Sequence, residues 1–326
     1  MHKRNLGKGG YEIGDVGLGC WQFGGDFGPM EEKTAFDILN AAVESGTDFL
    51  DTADVYGAGV SEKLIGRFLK TCSTPLTIAT KVGRDSSLFP DHYTREGVKS
   101  GITASLKRLG VEALDLIQLH CVPTQVLRDG EIFQWLRDFK NEGLIREFGA
   151  SVESAEEGLI CLEQDGLRSL QVIFNPFRQK LVTELFPQTQ EKGVGIIVRL
   201  PLASGLLSGK FTKETTFSDT DHRNYNRDGQ FFNVGETFAG LPFETGVELA
   251  DALKAYLPEG MSLPEMSLRW ILDHPAVSVI IPGASSISQA QKNAAASDLP
   301  PLSDELLETL RVFYLANVEK HIRGPY

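Results

Sequence analysis

Only four cysteines, Cys20, Cys72, Cys121 and Cys161, occur in 326 residues, and no two share a paired spacing. That excludes a disulfide frame and a Cys-rich metal site, so reduced thiols in a cytoplasmic protein with no bound metal are expected. Positive charge is also short. Lys and Arg total 32 against 44 Asp and Glu, a net charge of -12, which excludes nucleic acid as a bulk partner because phosphate binding needs a basic face. Any anion must therefore be held by local charge. Long apolar runs are missing too: no segment is long enough to cross a bilayer, and Met1 to Lys8 lacks the apolar stretch of a secretory leader. Nor does a Pro/Ser-rich stretch divide the chain, so residues 1–326 read as a single domain rather than two.

What is present is a rhythm. After a Gly-rich opening suited to a hairpin come eight short β-rich runs: residues 16–20, 47–50, 76–80, 114–119, 145–149, 170–174, 194–200 and 277–281. Windows with helical spacing separate them, such as Ala35, Ile38, Leu39, Ala42 and Val43, then Val98, Ile102, Leu106 and Leu109. Alternation of this kind predicts a parallel sheet covered by helices, and eight strands is the barrel number. Two features depart from it. Residues 211–241 form a long polar and aromatic insertion, and helical windows at 244–256, 263–272, 287–296 and 304–318 exceed what eight simple units need.

A parallel barrel gathers the residues at its strand ends around one mouth. Asp51, Lys81 and His120 each close a β-rich run, and Tyr56 follows Asp51 by five residues. Singly, these are a helix cap, a solvated lysine and a core histidine. Together they place a phenol, an ammonium, a carboxylate and an imidazole at one mouth. A neighbouring lysine favours tyrosinate and is expected to bring the phenol from about 10 toward neutrality, which suits proton transfer to a carbonyl oxygen.

The chain resembles the aldo-keto reductases over essentially its whole length. The resemblance is carried by Gly17-Leu18-Gly19-Cys20-Trp21, by Asp51-Thr52-Ala53-Asp54-Val55-Tyr56-Gly57 with Ser61-Glu62, and by Lys81 and His120. Further on, Gly149-Ala150-Ser151, Gln171, the run Pro201 to Lys210 and Ile281-Pro282-Gly283-Ala284 continue it in the family's order. It implies a (β/α)8 TIM barrel, an N-terminal hairpin across the bottom, extra C-terminal helices and a nicotinamide cofactor extended across the top. Tyr56 would be the proton donor, Lys81 its tuner, Asp51 the partner of Lys81, and His120 the group that orients the carbonyl.

Cofactor contacts carried over by the same resemblance are Ser151 and Gln171 for the carboxamide, and Arg199 where many members stack an aromatic ring. Leu202, Ser204, Gly205, Leu207, Gly209 and Lys210 would serve the pyrophosphate; Gly283, Ser285, Ser286, Gln289, Lys292 and Asn293 would serve the adenosine end. Val152 stands where members often carry Asn. No Arg occupies the position of Gln289, so family habit favours NADP(H) slightly while NAD(H) stays open. Substrate contacts fall to Trp21, Tyr56, His120 and the insertion with Tyr225, Phe231 and Phe232, which suits a small aldehyde, ketone or sugar. Two other readings stand beside a carbonyl oxidoreductase: a cofactor-binding redox-sensing subunit that keeps the barrel, and a lyase or isomerase using Tyr56 and His120 as acid and base.

Overall fold

The computed structural model describes residues 1–326. Two short strands, β1 (Lys3–Asn5) and β2 (Glu12–Gly14), pair antiparallel as a hairpin. Eight parallel strands follow: β3 (Leu18–Gly19), β4 (Phe49–Asp51), β5 (Thr77–Val82), β6 (Leu114–His120), β7 (Ile145–Ser151), β8 (Leu167–Ile173), β9 (Gly195–Arg199) and β10 (Val277–Ile280). They lie side by side in chain order. Parallel bridges Val16 to Ile280 and Gly19 to Gly283 bring the first strand back to the last, so the sheet closes as a (β/α)8 barrel. All eight β-rich runs of the sequence contain strands, with ends moved by no more than three residues.

Alternation along each strand sorts the barrel interior into layers. Phe49, Ala79, Leu116, Ile197 and Val279 form an apolar floor together with Leu6 and Ile13 of the hairpin region, which plug the bottom. Two residues further along the same strands stand Asp51, Lys81, Gln118 and Arg199, and two beyond Gln118 stands His120. A period of two thus puts polar groups directly above an apolar plug. The helices form the outer shell. The helix Arg95–Leu109 buries Val98, Ile102, Leu106 and Leu109 against the strands, and Thr94 caps its start by accepting from Gly97 N.

The four late helical windows are Phe243–Leu253, Leu263–Leu272, Ile287–Ala295 and Asp304–Phe313; the last runs on into a π turn at Tyr314–Val318. The insertion between residues 211 and 241 is held by buried polar contacts instead of an apolar period. Fully buried Asn226 accepts from the backbone N–H groups of Phe231 and Phe232 and donates to Thr237 Oγ1. Tyr225 and Trp21 both donate to Asp26, at 3.0 and 2.9 Å, tying the insertion to the loop after β3.

Candidate active site

At the mouth of the barrel lies a cavity of about 460 Å³. Lys81, fully buried at the end of β5, donates to Asp51 Oδ1 at 2.5 Å, to Thr52 O at 2.7 Å and to Tyr56 Oη at 3.2 Å. Asp51 is held on its other oxygen by Gln171 Nε2 at 2.7 Å and Gln118 Nε2 at 3.1 Å. Tyr56 is held by a close backbone approach: a Cβ on Gly57 would meet Gly24 O at 2.6 Å, and one on Gly24 would meet Gly57 N at 2.7 Å. Only two glycines permit this contact. It seats the phenol beneath Trp21, whose ring lies 5.9 Å away at an interplanar angle of 21°, and edge-on to His120 at 5.9 Å.

Electrostatics differ from expectation at the phenol. Burial pushes Tyr56 up to about 12, outweighing the opposing pull of Lys81. The group is therefore a firmly protonated donor at neutral pH, not one brought toward neutrality, because desolvating tyrosinate costs more than one paired ammonium returns. Lys81 stays charged: burial lowers it, but Asp51 and Tyr56 raise it further. His120 is held well below its usual value by burial and by the charges of Arg84, Lys81 and Arg199, so the ring is neutral. Its Nδ1 is buried without a partner, and a proton there would strand a donor. The tautomer with Nε2–H avoids that cost.

Of the residues singled out for cofactor binding, Gln171, Arg199, Leu202, Ser204, Gly205, Lys210, Gly283, Ser285 and Gln289 line the cavity. The others do not border it. Ser151 lies beneath, 3.4 Å from Gln171 Oε1, and Leu207 is packed in the core. Gly209 turns the chain beside Leu263, Ser286 caps the helix Ile287–Ala295, and Asn293 donates to Gly283 O, fixing that loop. Lys292 lies in the last turn of the same helix. Gln289 Oε1 accepts from Ser285 N at 2.7 Å and Ser285 Oγ at 2.9 Å. After β9 the backbone carries left-handed φ at Leu200, Ala203, Ser204 and Gly205, the kind of strained turn that concentrates at ligand-binding loops.

Several residues of the site went unread in the sequence. Gln118 could have been found as the inward neighbour two residues before His120. Arg84 and Glu236 lacked such a signal. Gly83, at φ 111°, turns the chain after β5 so that Arg84 reaches the mouth. There Arg84 Nη1 donates to Glu236 Oε1 at 3.0 Å, and Arg199 approaches the other carboxylate oxygen at 3.7 Å. Despite burial, these two arginines hold Glu236 down at about 2. Glu153 and Cys121 adjoin it, with ligand atoms of the three residues within 4.8 Å of one another. Metal-like in outline, this group already has its cations in the guanidinium groups. Cys121 has a left-handed φ, its sulfur lies 3.6 Å from Arg199 Nη2, and burial raises the thiol to about 12.

The chain belongs to the aldo/keto reductase family, whose model matches residues 15–314. Aldo-keto reductase YhdN of Bacillus subtilis is 29% identical over 297 residues, covering 89% of this chain and 87% of that one. The NADH-specific methylglyoxal reductase of Escherichia coli is 27% identical over 321 residues, covering 92% and 94%. Among solved structures, the glycerol dehydrogenase of Gluconobacter oxydans superposes with a TM-score of 0.77 at 26% identity, covering 99% of this chain and 97% of that one. The protein is an oxidoreductase of this family with the family's barrel fold, and none of its helices is long and apolar enough to cross a membrane.

Proposed function

We propose that the chain, acting as one domain, interconverts a small carbonyl compound and its alcohol with a nicotinamide cofactor, Tyr56 moving the proton. The carrying observation is the chain of hydrogen bonds from Tyr56 through Lys81 to Asp51 at the edge of a cavity that also meets neutral His120. A bound nicotinamide would supply hydride to the carbonyl carbon or take it from the alcohol carbon. The residues present fit such a group: one cavity runs from Tyr56 and His120, past the strained loop Leu200 to Gly205, to Ser285 and Gln289. Gln171 and Arg199 would border the nicotinamide; Ser204, Gly205 and Lys210 the pyrophosphate; Ser285 and Gln289 the adenosine ribose.

In reduction, negative charge grows on the carbonyl oxygen, and Tyr56 gives it a proton while Lys81 stabilises the tyrosinate left behind. Neutral His120 donates a hydrogen bond that orients the same oxygen. In oxidation the steps reverse and the tyrosinate accepts the proton. Arg223 adds to the cofactor side: Asp221 holds its Nε and Nη2, and its Nη1 points toward the position a Cβ on Gly205 would take, 3.7 Å away. Both NADPH and NADH are expected to serve, because Gln289 is a neutral amide. The intact set of Asp51, Tyr56, Lys81 and His120 counts against a purely redox-sensing subunit.

A panel of aldehydes, ketones and sugars, followed by the absorbance of reduced nicotinamide in both directions, tests the reading. Turnover of at least one member with either cofactor is the expected result. Tight cofactor binding with no turnover across the panel would overturn it in favour of a sensing role.

A further inference from the structure

Two guanidinium groups, those of Arg84 and Arg199, form a basic wall at the substrate end of the cavity, inside a protein whose net charge is -12. Lys81 is balanced by Asp51. Arg84 and Arg199 share one carboxylate, Glu236. Glu153, the only other carboxylate in that group, is raised to about 7 by burial and by the charge of Glu236, so it does not supply a full second negative charge at neutral pH. His120 is uncharged. Within this group two guanidinium charges thus face one full carboxylate charge; Asp26, another carboxylate lining that end, is held by Trp21 and Tyr225 and makes no ion pair.

Of the two arginines, Arg84 is the one open to a ligand. Its side chain is 19% exposed, and it lines the cavity together with Tyr56, His120 and Phe232. Nη1 is occupied by Glu236, while Nε and Nη2 are accessible and bound by no protein acceptor. The plane is fixed in advance: Glu236 grips one end and the ring of Phe232 lies 5.2 Å from Cζ. Arg199 is less available, since its Nη2 donates to Val152 O and its Nε is buried. A preset guanidinium with two free donors on one edge matches the two oxygens of a carboxylate, and the aromatic walls of Trp21, Phe27 and Phe232 match an apolar spacer.

Resting on the proposed carbonyl chemistry, we infer that Arg84 is a specificity-determining residue that selects carbonyl substrates bearing a carboxylate. The bound carboxylate takes the free edge of Arg84, Nε and Nη2, and aims the carbonyl at Tyr56 and His120. A neutral substrate of the same shape leaves the two donors of Arg84 unmatched.

The test uses 2-, 3- and 4-carboxybenzaldehyde with their methyl esters as uncharged counterparts, the ring positions serving as a ruler. For wild type, kcat/KM of at least one acid should exceed that of its ester by at least about 30-fold, mostly through KM. In Arg84→Gln that ratio should fall to within about threefold of unity, and Arg84→Lys should restore part of it, since a lysine keeps the charge without the planar fork. Comparing acid with ester in the same variant removes general damage to the site. Binding of the acids and esters, read by quenching of tryptophan fluorescence, gives a second measure that needs no turnover. An acid-to-ester ratio near unity in wild type, or a preference that survives Arg84→Gln, overturns the inference. Acids that bind through Arg84 without any turnover by wild type would leave this inference standing and remove the carbonyl chemistry instead.

Discussion

Replacing Lys81 with Met removes the charge beside Tyr56 while keeping most of the stem. Lys81 lies 3.2 Å from the phenol oxygen and is fully buried, so little water screens the pair. At an effective dielectric constant of about 20, unit charges about 4 Å apart interact by about 4 kcal/mol. That corresponds to an upward shift of the phenol by up to about 3 pH units, since one unit is about 1.36 kcal/mol. The sign is fixed. Tyr56 already stands at about 12, so below that pH the fraction of tyrosinate grows tenfold per unit, and moving the value up lowers the fraction at every accessible pH. Alcohol oxidation should therefore fall by about 100- to 1,000-fold, with its rise displaced to higher pH. The variant also leaves Asp51 buried with only Gln118 and Gln171 as side-chain partners, a change that costs about 3–5 kcal/mol in broken buried pairs. A thermal melt and a cofactor titration separate lost folding from lost chemistry. Oxidation measured from neutral to strongly alkaline pH with folded variant decides the matter: an unchanged pH profile would refute Lys81 as the group that tunes Tyr56.

Tyr56→Phe should keep cofactor affinity and lose at least about 100-fold in turnover, as general acid catalysis contributes about 10²–10⁴, and a rate within threefold of wild type would remove its assigned role. For cofactor choice, Gln289→Arg should shift the ratio of KM values toward NADPH by roughly tenfold, about 1.4 kcal/mol, because an arginine adds a charged grip on a 2'-phosphate where Gln289 now only accepts from Ser285. Steady-state titration of both cofactors reads the shift, and a constant ratio would place residue 289 away from the ribose. Glu153 faces Glu236, Arg199, Arg84 and Cys121, and it is neutral below about 7 and charged above. Any preference for carboxylate-bearing substrates should therefore weaken as pH rises through 7, and Glu153→Gln should flatten that dependence in the KM profile. Asn226→Ala removes three hydrogen bonds from the insertion. It should destabilise the protein by about 1–3 kcal/mol and alter relative kcat/KM across a carbonyl panel, whereas an unaltered panel in a destabilised protein would make the insertion purely structural.

Much of this protein is written in local pattern. Eight β-rich runs separated by helical spacing specify a parallel barrel because each run is too short and too apolar to stand outside a sheet. Alternation along a strand then decides which residues face inward. Asp51, Lys81 and His120 were legible on that ground, each closing a run, and Tyr56 followed from its place after Asp51. What alternation cannot state is which inward residues meet. Gln171 reaches Asp51 across 120 positions only because the barrel closes, and that closure is a property of all eight strands together. Arg84 and Glu236 lie farther apart still, 152 positions, and neither sits on a strand. Their pairing depends on the turn at Gly83 and on buried polar contacts that fold the long insertion back over the mouth. Those contacts follow no period that a linear reading detects. The phenol of Tyr56 teaches the same lesson in energy: sequence supplied the lysine that lowers its pKa, but only the packed structure supplied the burial that raises it more.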